Sequence, residues 1–503
     1  MISALNWIPK GAAHLATPAQ EESRNESSSE EEDASNASEI EQAQRFAAAL
    51  KATAAGPLDR EPGVEDEAMA ELNLEDYDES DEDESGRRIF GSSNPGMAFY
   101  RDNKQDPYLA QIAEDDDSDA GLDEVQPDDH LIVTSRSEDE VSYLEVWVYQ
   151  EAESTGDVPN IYVHHDLLLP AFPLSLAWVG YEGLAGAPGR NFAAVGTSDP
   201  GIEIWDLDVS DAVEPLVTLG GLPRGAGPAL DMMGLDEAAP PEGKKKNKKQ
   251  KKKAAAAALA NSTSPDDAQG LRPGSHTDAV LGLAWNAAAP NVLASASADS
   301  TAKVWDLGSQ QCQATLTHHT DKVQALAWNP AEPPILLTAA FDRTAALADV
   351  RSPGASTPKW ELSADAECAA WSIAEPTQFL VASEDGVVAC FDARGGASSA
   401  PLFRLAAHDK PTCAISFCPA APHLLATASA DKLVKLWNVS GNQPSLVTSQ
   451  NLKAGAVFAG GFCATAPHLF AVGGAKGSVA VWDVLSCGAV ASGFGRRFSR
   501  AAS

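Results

Sequence analysis

The sequence predicts an all-β fold, a seven-bladed β-propeller, because one spacing of polar and aromatic residues recurs along the chain. Two sets share the intervals 19, 4 and 6: His276, Ser295, Asp299 and Trp305, and His408, Thr427, Asp431 and Trp437. In each set, two short runs of β-forming residues flank an Asp-centred turn, a pattern that indicates a hairpin. A repeat of about 40 to 45 residues is typical of propellers.

Partial copies of the set extend the repeat to other parts of the chain. His319, Thr338 and Asp342 keep the intervals 19 and 4, but Ala348 stands at the Trp position. Seven residues mark the end of a third strand: Trp147, Trp205, Trp305, Ala348, Phe391, Trp437 and Trp482. Seven such strands predict seven blades.

The repeated set resembles WD40 repeats, in which His, Ser or Thr, Asp and Trp form a hydrogen-bonded chain inside a blade. The resemblance implies that each buried donor finds an acceptor. The same residue types build hydrolases, but recurrence in several blades favours a structural role over a catalytic one. Residues 473–477 (Gly-Gly-Ala-Lys-Gly) lack the Gly-Lys-Ser/Thr ending of a phosphate loop. We therefore expect no enzyme, cofactor, metal or small-molecule substrate.

The inner strands share a second pattern, which reaches the start of the chain. Val280–Trp285, Val323–Trp328 and Leu174–Trp178 alternate alike, and Ile2–Trp7 fits them. This predicts a first blade split by a long insert, the alternative being a loose tail that matches by chance. The predicted organisation is residues 1–10 as the inner strand of blade 1, 11–127 as an acidic and largely disordered insert, 128–220 as the rest of blade 1 and blade 2, 221–274 as a flexible Lys-rich loop, 275–495 as blades 3–7, and 496–503 as a C-terminal tail.

Composition favours a reducing compartment and no membrane association. The seven cysteines show no C-x-x-C pair, which argues for free thiols rather than disulfides or zinc. No apolar run approaches the ~18 residues of a membrane span, and the N-terminus lacks the features of a signal peptide.

The acidic insert carries most of the net charge of −36. Residues 17–127 contain 32 Asp or Glu and 8 Lys or Arg, a net charge of −24. Such a segment cannot bury enough apolar surface to offset the entropy of ordering. Four serines in it are followed by an acid three residues later, as an acidophilic kinase requires, and are candidate phosphorylation sites: Ser27, Ser28, Ser29 and Ser80.

A basic tract lies in the second insert. Eight lysines occur within residues 244–253: Lys244, Lys245, Lys246, Lys248, Lys249, Lys251, Lys252 and Lys253. The tract indicates a nuclear or nucleolar address or an RNA-binding patch, the alternative being a solubilising loop. Lysine without Arg or aromatic residues attracts phosphates but reads no bases.

The order of several further motifs is similar to that of the periodic tryptophan protein 1 family. These are Gln105–Tyr108 in the acidic insert, Tyr162–Asp166, Trp205–Asp208, the Lys tract ahead of His276, and Phe494–Arg497. The resemblance implies a nuclear and nucleolar WD-repeat protein linked to ribosome biogenesis, ribosomal RNA production and chromatin.

Three functions follow as predictions. The first is a non-catalytic scaffold that holds pre-ribosomal factors on its propeller faces and RNA on the Lys tract. The second is a chromatin adaptor in which the acidic insert binds histones. The third is a substrate receptor of a cullin-type ubiquitin ligase, because Arg351 and Arg394 follow the blade-end residues Asp349 and Asp392 by two. An Arg that pairs with an acid on the rim is the alternative for these two positions.

Overall fold

The computed structural model describes residues 1–13, 125–126, 128–139, 141–152, 158–184, 191–222, 270–396 and 399–501, with side chains to residue 498. Within these residues the strands form seven antiparallel sheets. The prediction of an all-β, seven-bladed propeller is therefore confirmed. The acidic insert with Ser27, Ser28, Ser29 and Ser80, and the Lys tract 244–253, lie outside the described residues.

The first four blades have four strands each among the described residues. Blade 1 contains β1 (Ile2–Ile8), β2 (His130–Glu138), β3 (Val141–Gln150) and β4 (Asn160–Leu169). Blade 2 contains β5 (Pro173–Val179), β6 (Phe192–Thr197), β7 (Gly201–Asp206) and β8 (Val217–Gly220). Blade 3 contains β9 (Val280–Trp285), β10 (Val292–Ser297), β11 (Ala302–Asp306) and β12 (Gln311–Leu316). Blade 4 contains β13 (Val323–Trp328), β14 (Ile335–Ala340), β15 (Thr344–Asp349) and β16 (Lys359–Glu361).

The last three blades end in a different way. Blade 5 contains β17 (Ala366–Trp371), β18 (Gln378–Ser383), β19 (Val387–Asp392) and β20 (Phe403–Ala406). Blade 6 contains β21 (Thr412–Phe417), β22 (Leu424–Ser429), β23 (Val434–Asn438) and β24 (Ser445–Gln450). Blade 7 contains β25 (Val457–Phe462), β26 (Leu469–Gly474) and β27 (Val479–Asp483), and helix α1 (Gly488–Ala501) follows it.

The start of the chain supplies the inner strand of blade 1. Strand β1 pairs antiparallel with β2, with Ile8 opposite Leu131 and Leu5 opposite Thr134. Ile2 is fully buried and packs with Ile132, Ala471 and Val479, so β1 also covers blade 7. The undescribed residues 14–124 fall between the first and second strands of this blade.

Indole groups on the inner strands join neighbouring blades. The Nε1–H of Trp328 donates to the carbonyl oxygen of Ala284 at 2.9 Å, and that of Trp371 donates to Ala327 at 3.0 Å. Trp7 makes the equivalent bond across the closure of the ring, to the carbonyl oxygen of Gly461 at 2.9 Å. The side chains that make the inner strands alternate thus also fix the spacing between blades.

Hydrophobic clusters fill the seams between blades. The seam of blades 2 and 3, for example, buries Ile204, Leu219 and Trp305 together. Helix α1 adds Val490, Phe494 and Phe498 to the cluster between blades 6 and 7. These residues are four apart and therefore share one helix face. The boundary drawn at residue 495 from the sequence falls inside this helix.

We expect removal of residues 1–9 to lower the melting temperature sharply or to abolish cooperative unfolding, because it leaves β2 without its inner neighbour and uncovers the apolar residues around Ile132. Differential scanning calorimetry of the full chain and of the deletion would measure the effect. A deletion of equal length from the acidic insert, residues 17–25, is the control. Equal melting temperatures for both deletions would contradict the role of β1.

Candidate functional site

The repeated polar set forms a continuous hydrogen-bonded chain in blade 3. His276 precedes β9, Ser295 lies on β10, Asp299 lies in the turn after β10, and Trp305 lies on β11. His276 Nδ1 lies 2.9 Å from Asp299 Oδ2, and His276 Nε2 lies 2.7 Å from Ser295 Oγ. The indole N–H of Trp305 donates to the same Ser295 oxygen at 2.8 Å. The spacing in the sequence thus corresponds to four side chains in contact.

Blade 6 repeats this geometry. His408 Nδ1 lies 2.8 Å from Asp431 Oδ2, and His408 Nε2 lies 2.8 Å from Thr427 Oγ1. Trp437 donates its indole N–H to Thr427 Oγ1 at 3.0 Å. Ser295 and Thr427 are both 0% exposed, so neither hydroxyl can reach a substrate.

Burial determines the protonation of these groups. It lowers the pKa of His276, although the hydrogen bond to Asp299 acts in the opposite direction. Burial alone would raise the pKa of Asp299, but hydrogen bonds from His276, Thr301 and the Thr277 N–H hold it well below its usual value. A neutral imidazole beside a carboxylate donates from Nδ1 and accepts the Ser295 hydroxyl at Nε2. The chain therefore runs from indole to hydroxyl to imidazole to carboxylate.

Blade 4 lacks the Trp and uses a second histidine instead. His319 lies 3.0 Å from Asp342 and 2.8 Å from Thr338 Oγ1, as in the complete sets. His318 Nε2 lies 2.8 Å from the same Thr338 oxygen, where the indole N–H binds in blades 3 and 6. Sequence analysis missed His318; its adjacency to His319, together with Ala348 at the Trp position, was the available signal.

The protonation of His318 follows from its surroundings. Burial, and then the neighbouring His319 and Lys359, lower its pKa to about 4, so the ring is neutral at pH 7. A neutral His318 that carries its proton on Nε2 donates to Thr338, and Thr338 donates to His319. The substitution thus preserves the direction of the hydrogen-bonded chain.

Blades 1 and 2 satisfy the indole with a carboxylate. Trp205 is 0% exposed and donates to Glu203 Oε2 at 3.1 Å, because Val195 occupies the position opposite Glu203 and offers no hydroxyl. In blade 1 the indole of Trp147 contacts both Thr134 Oγ1 at 3.1 Å and Glu145 Oε2 at 3.0 Å. Burial raises the pKa of Glu203, with a smaller opposing effect of the bond from Trp205. These two carboxylates were not identified from the sequence.

The two arginines proposed as ligase contacts lie at the rim. Arg351 Nη2 lies 2.6 Å from Asp349, and Arg394 Nη2 lies 2.8 Å from Asp392, with both arginine side chains 70% exposed. Arg351 lines a cavity of about 530 Å³ that also contains Trp305, and Arg394 lines a cavity of about 410 Å³ that also contains Asp349. Each arginine therefore pairs with the acid two residues before it, and docking of a ligase adaptor stays a prediction.

The remaining sequence motifs have structural surroundings. A Cβ on Gly473 would lie 2.4 Å from Ile2 Cγ2, and one on Gly474 would lie 2.4 Å from the carbonyl oxygen of Ala456. Close packing thus accounts for these two glycines. All seven cysteines are free thiols. Within the described ranges there is no cluster of three or more His, Cys, Asp or Glu side chains placed to bind a metal ion. No helix of the described residues has the length and apolar character to span a bilayer.

Comparison with known proteins places this geometry in a family. The model of the WD domain, G-beta repeat, matches residues 272–306, 310–349 and 399–438, which are blades 3, 4 and 6 with part of their preceding loops or strands. The chain is 37% identical to an uncharacterized WD repeat-containing protein of Schizosaccharomyces pombe over 410 residues, 80% of this chain and 71% of that protein. It is 31% identical to periodic tryptophan protein 1 of Saccharomyces cerevisiae over 368 residues, 63% of this chain and 56% of that protein.

The chain belongs to the periodic tryptophan protein 1 family of WD-repeat proteins. A homolog of periodic tryptophan protein 1 from Drosophila melanogaster is 31% identical over 204 residues, 41% of this chain and 34% of that protein. The chain thus spans about half of the budding yeast relative and a third of the fly relative. The three blades that match the repeat model are those that keep the His and Asp of the set.

We expect His318→Ala to lower the free energy of unfolding by about 1–2 kcal/mol at pH 7, because Thr338 loses the donor that replaces the indole. His318 binds a proton less readily in the folded chain than in the unfolded chain, so its contribution to stability declines as the pH falls from about 6.5 towards 4. Urea unfolding between pH 7 and 5 would measure both effects. His318→Gln, which keeps an N–H donor but does not titrate, should recover stability and lose this pH dependence. An unchanged pH dependence in both variants would contradict the assignment.

A second prediction concerns the carboxylate of blade 2. Glu203→Ala should cost about 1–3 kcal/mol, because the buried indole of Trp205 loses its acceptor. Since the folded pKa of Glu203 is raised, its contribution to stability is present below the unfolded pKa and declines as the pH rises through the folded value. Glu203→Gln keeps an acceptor without the charge and should equal or exceed the native stability at pH 7. Urea midpoints from pH 5 to 8 would check this, and equal losses in both variants would show that the carboxylate charge is required.

Proposed function

We propose that this protein is a non-catalytic scaffold in the nucleus, and within it the nucleolus, that assembles protein and RNA partners for ribosome biogenesis and ribosomal RNA production. The observation that supports this most is the burial of the repeated polar set. His276, Ser295 and Thr427 bind each other's partners inside the blades, with the two hydroxyl residues and His276 at 0% exposure. The residue types that could do chemistry are thus used to hold the blades, and the faces of the propeller remain for binding.

Membership of the periodic tryptophan protein 1 family supports the nuclear and ribosomal part of the proposal. The printed names of the relatives state no partner, so pre-ribosomal factors and RNA enter here as proposed partners. The Lys tract at residues 244–253 is the segment with the chemistry to bind RNA phosphates. It follows strand β8 and precedes β9, so it is tethered to blades 2 and 3 at both ends.

A chromatin adaptor is the second candidate, and the acidic insert favours it. Its net charge of −24 over residues 17–127 complements basic histone surfaces. Histone binding through carboxylates and RNA binding through lysines respond differently to ribonuclease. This difference separates the two functions in one experiment.

We expect replacement of the eight lysines of the tract by Gln to release the full chain from RNA-containing particles, because the phosphate contacts are lost. Replacement of the same lysines by Arg is the matched control, since it keeps the charge and should keep the association. Sedimentation of nuclear extracts at rising salt, with and without ribonuclease, would measure this. For single-stranded contacts the logarithm of affinity should fall with the logarithm of salt by roughly 0.7 per phosphate bound.

Three results would contradict the scaffold on RNA. The Gln variant could co-sediment with particles as fully as the native chain. The native association could survive ribonuclease and retain histones, which would favour the chromatin adaptor. Recovery of neither pre-ribosomal factors nor histones would contradict both functions.

A further inference from the structure

The outer edge of blade 7 is open among the described residues. The other six blades have a fourth strand that covers the outer edge of the third, whereas blade 7 ends with β27. The chain then turns through residues 484–486 into helix α1, which packs on the seam of blades 6 and 7 through Val490, Phe494 and Phe498. The helix thus takes the chain away from the position of a fourth strand.

The main-chain groups at this edge can be assigned from the pairing of β27. The N–H of Val484 donates to the carbonyl of His468, which directs residues 482 and 480 towards β26, since the groups of an antiparallel strand alternate sides. Val479 and Val481 therefore direct their N–H and C=O groups outwards. Residues equivalent to Val481 use these groups elsewhere: the Leu347 N–H donates to Pro358, and the Cys390 carbonyl accepts from Leu402.

The missing strand also leaves an apolar groove. In blade 2 the fourth strand β8 covers the Trp of the next blade, since a Cβ on Gly220 would lie 3.0 Å from Trp305 Cη2. Trp205, Trp305 and Trp437 are 0%, 1% and 8% exposed as a result. Trp147, at the equivalent position next to blade 7, is partly exposed and packs with the partly exposed Ile161 and Val481. An extended strand with an apolar side chain would complete this seam.

We infer that residues 97–101 of the acidic insert, Met-Ala-Phe-Tyr-Arg, dock on the outer edge of β27 as the fourth strand of blade 7, with apolar side chains against Trp147 and Ile161. These residues lie outside the described part of the chain. They end the longest run of the insert without a charged residue, Ile89–Tyr100, and follow the Pro95-Gly96 turn pair. Their aromatic residues favour strands.

The length and attachment of the insert make this occupant available. Ala12, Ala13 and Val125 pack against blade 1, so both ends of the insert are fixed on the blade next to blade 7. The residues between 101 and 125 could extend over about 80 Å at ~3.3 Å per residue, more than the docking requires. Tethering raises the local concentration of the segment over that of any free peptide. Five residues match the four to six residues of the fourth strands β8, β12, β20 and β24.

Hydrogen exchange of the full chain tests the inference. In the native protein the amides of Val479 and Val481 should exchange slowly. In Met97→Asp/Phe99→Asp they should exchange about tenfold faster or more, because the apolar side chains no longer enter the groove. Leu72→Asp, in the same insert, is the matched control and should leave both rates unchanged. Amides of β26 should be equally protected in all three proteins, which shows that the blade remains folded.

A synthetic peptide of residues 95–103 gives a second test. Added to the double variant, it should restore slow exchange at Val479 and Val481 and shield Trp147 from acrylamide. Fast exchange of these amides in the native protein would overturn the inference. So would protection that falls on dilution, which indicates a second copy at the edge, and protection that persists in the double variant, which indicates another occupant.

Discussion

Every closed seam of this propeller depends on finding an acceptor for a buried indole N–H, or on doing without the indole. Trp305 is 1% exposed and its N–H binds Ser295. Leaving such a donor unpaired costs about 1–3 kcal/mol. Blade 2 uses Glu203 as the acceptor, and blade 5 replaces the indole by Phe391, which needs none. Blade 4 removes the indole but keeps Thr338 and supplies His318 to it. The blades therefore differ in sequence but meet the same constraint.

Closure of the ring imposes a second constraint, because no sheet among the described residues is shared between blades 1 and 7. The two blades are joined by side chains and by one indole bond, from Trp7 to the Gly461 carbonyl. Ile2 approaches the backbone of β26 so closely that a Cβ on Gly473 would overlap it at 2.4 Å. The glycine therefore reflects the route of β1 rather than a phosphate site. A propeller closed in this way is sensitive to the residues at the start of the chain.

The fold and the complete tetrads could be predicted from the sequence because their hydrogen bonds require fixed intervals along a hairpin. Asp299 lies four residues after Ser295, and the turn geometry allows no other spacing. His318 and Glu203 could not be found this way, since they reach the same atoms from other positions and only the folded register brings them there. Helix α1 was missed because it contains Gly488, Gly493 and Gly495, which disfavour helix. Its formation depends on burial of Phe494 and Phe498 against blades 6 and 7.

The distribution of charge limits how the proposed RNA contact can work. A chain with a net charge of −36 repels nucleic acid at long range. At physiological ionic strength the screening length is about 8 Å, so charges farther away than this act weakly. A compact group of eight lysines within residues 244–253 creates a positive potential inside that distance, although the whole chain is acidic. The number of lysines and their separation from the acidic insert along the chain are therefore both required, and a tract diluted over a longer loop would not attract phosphate.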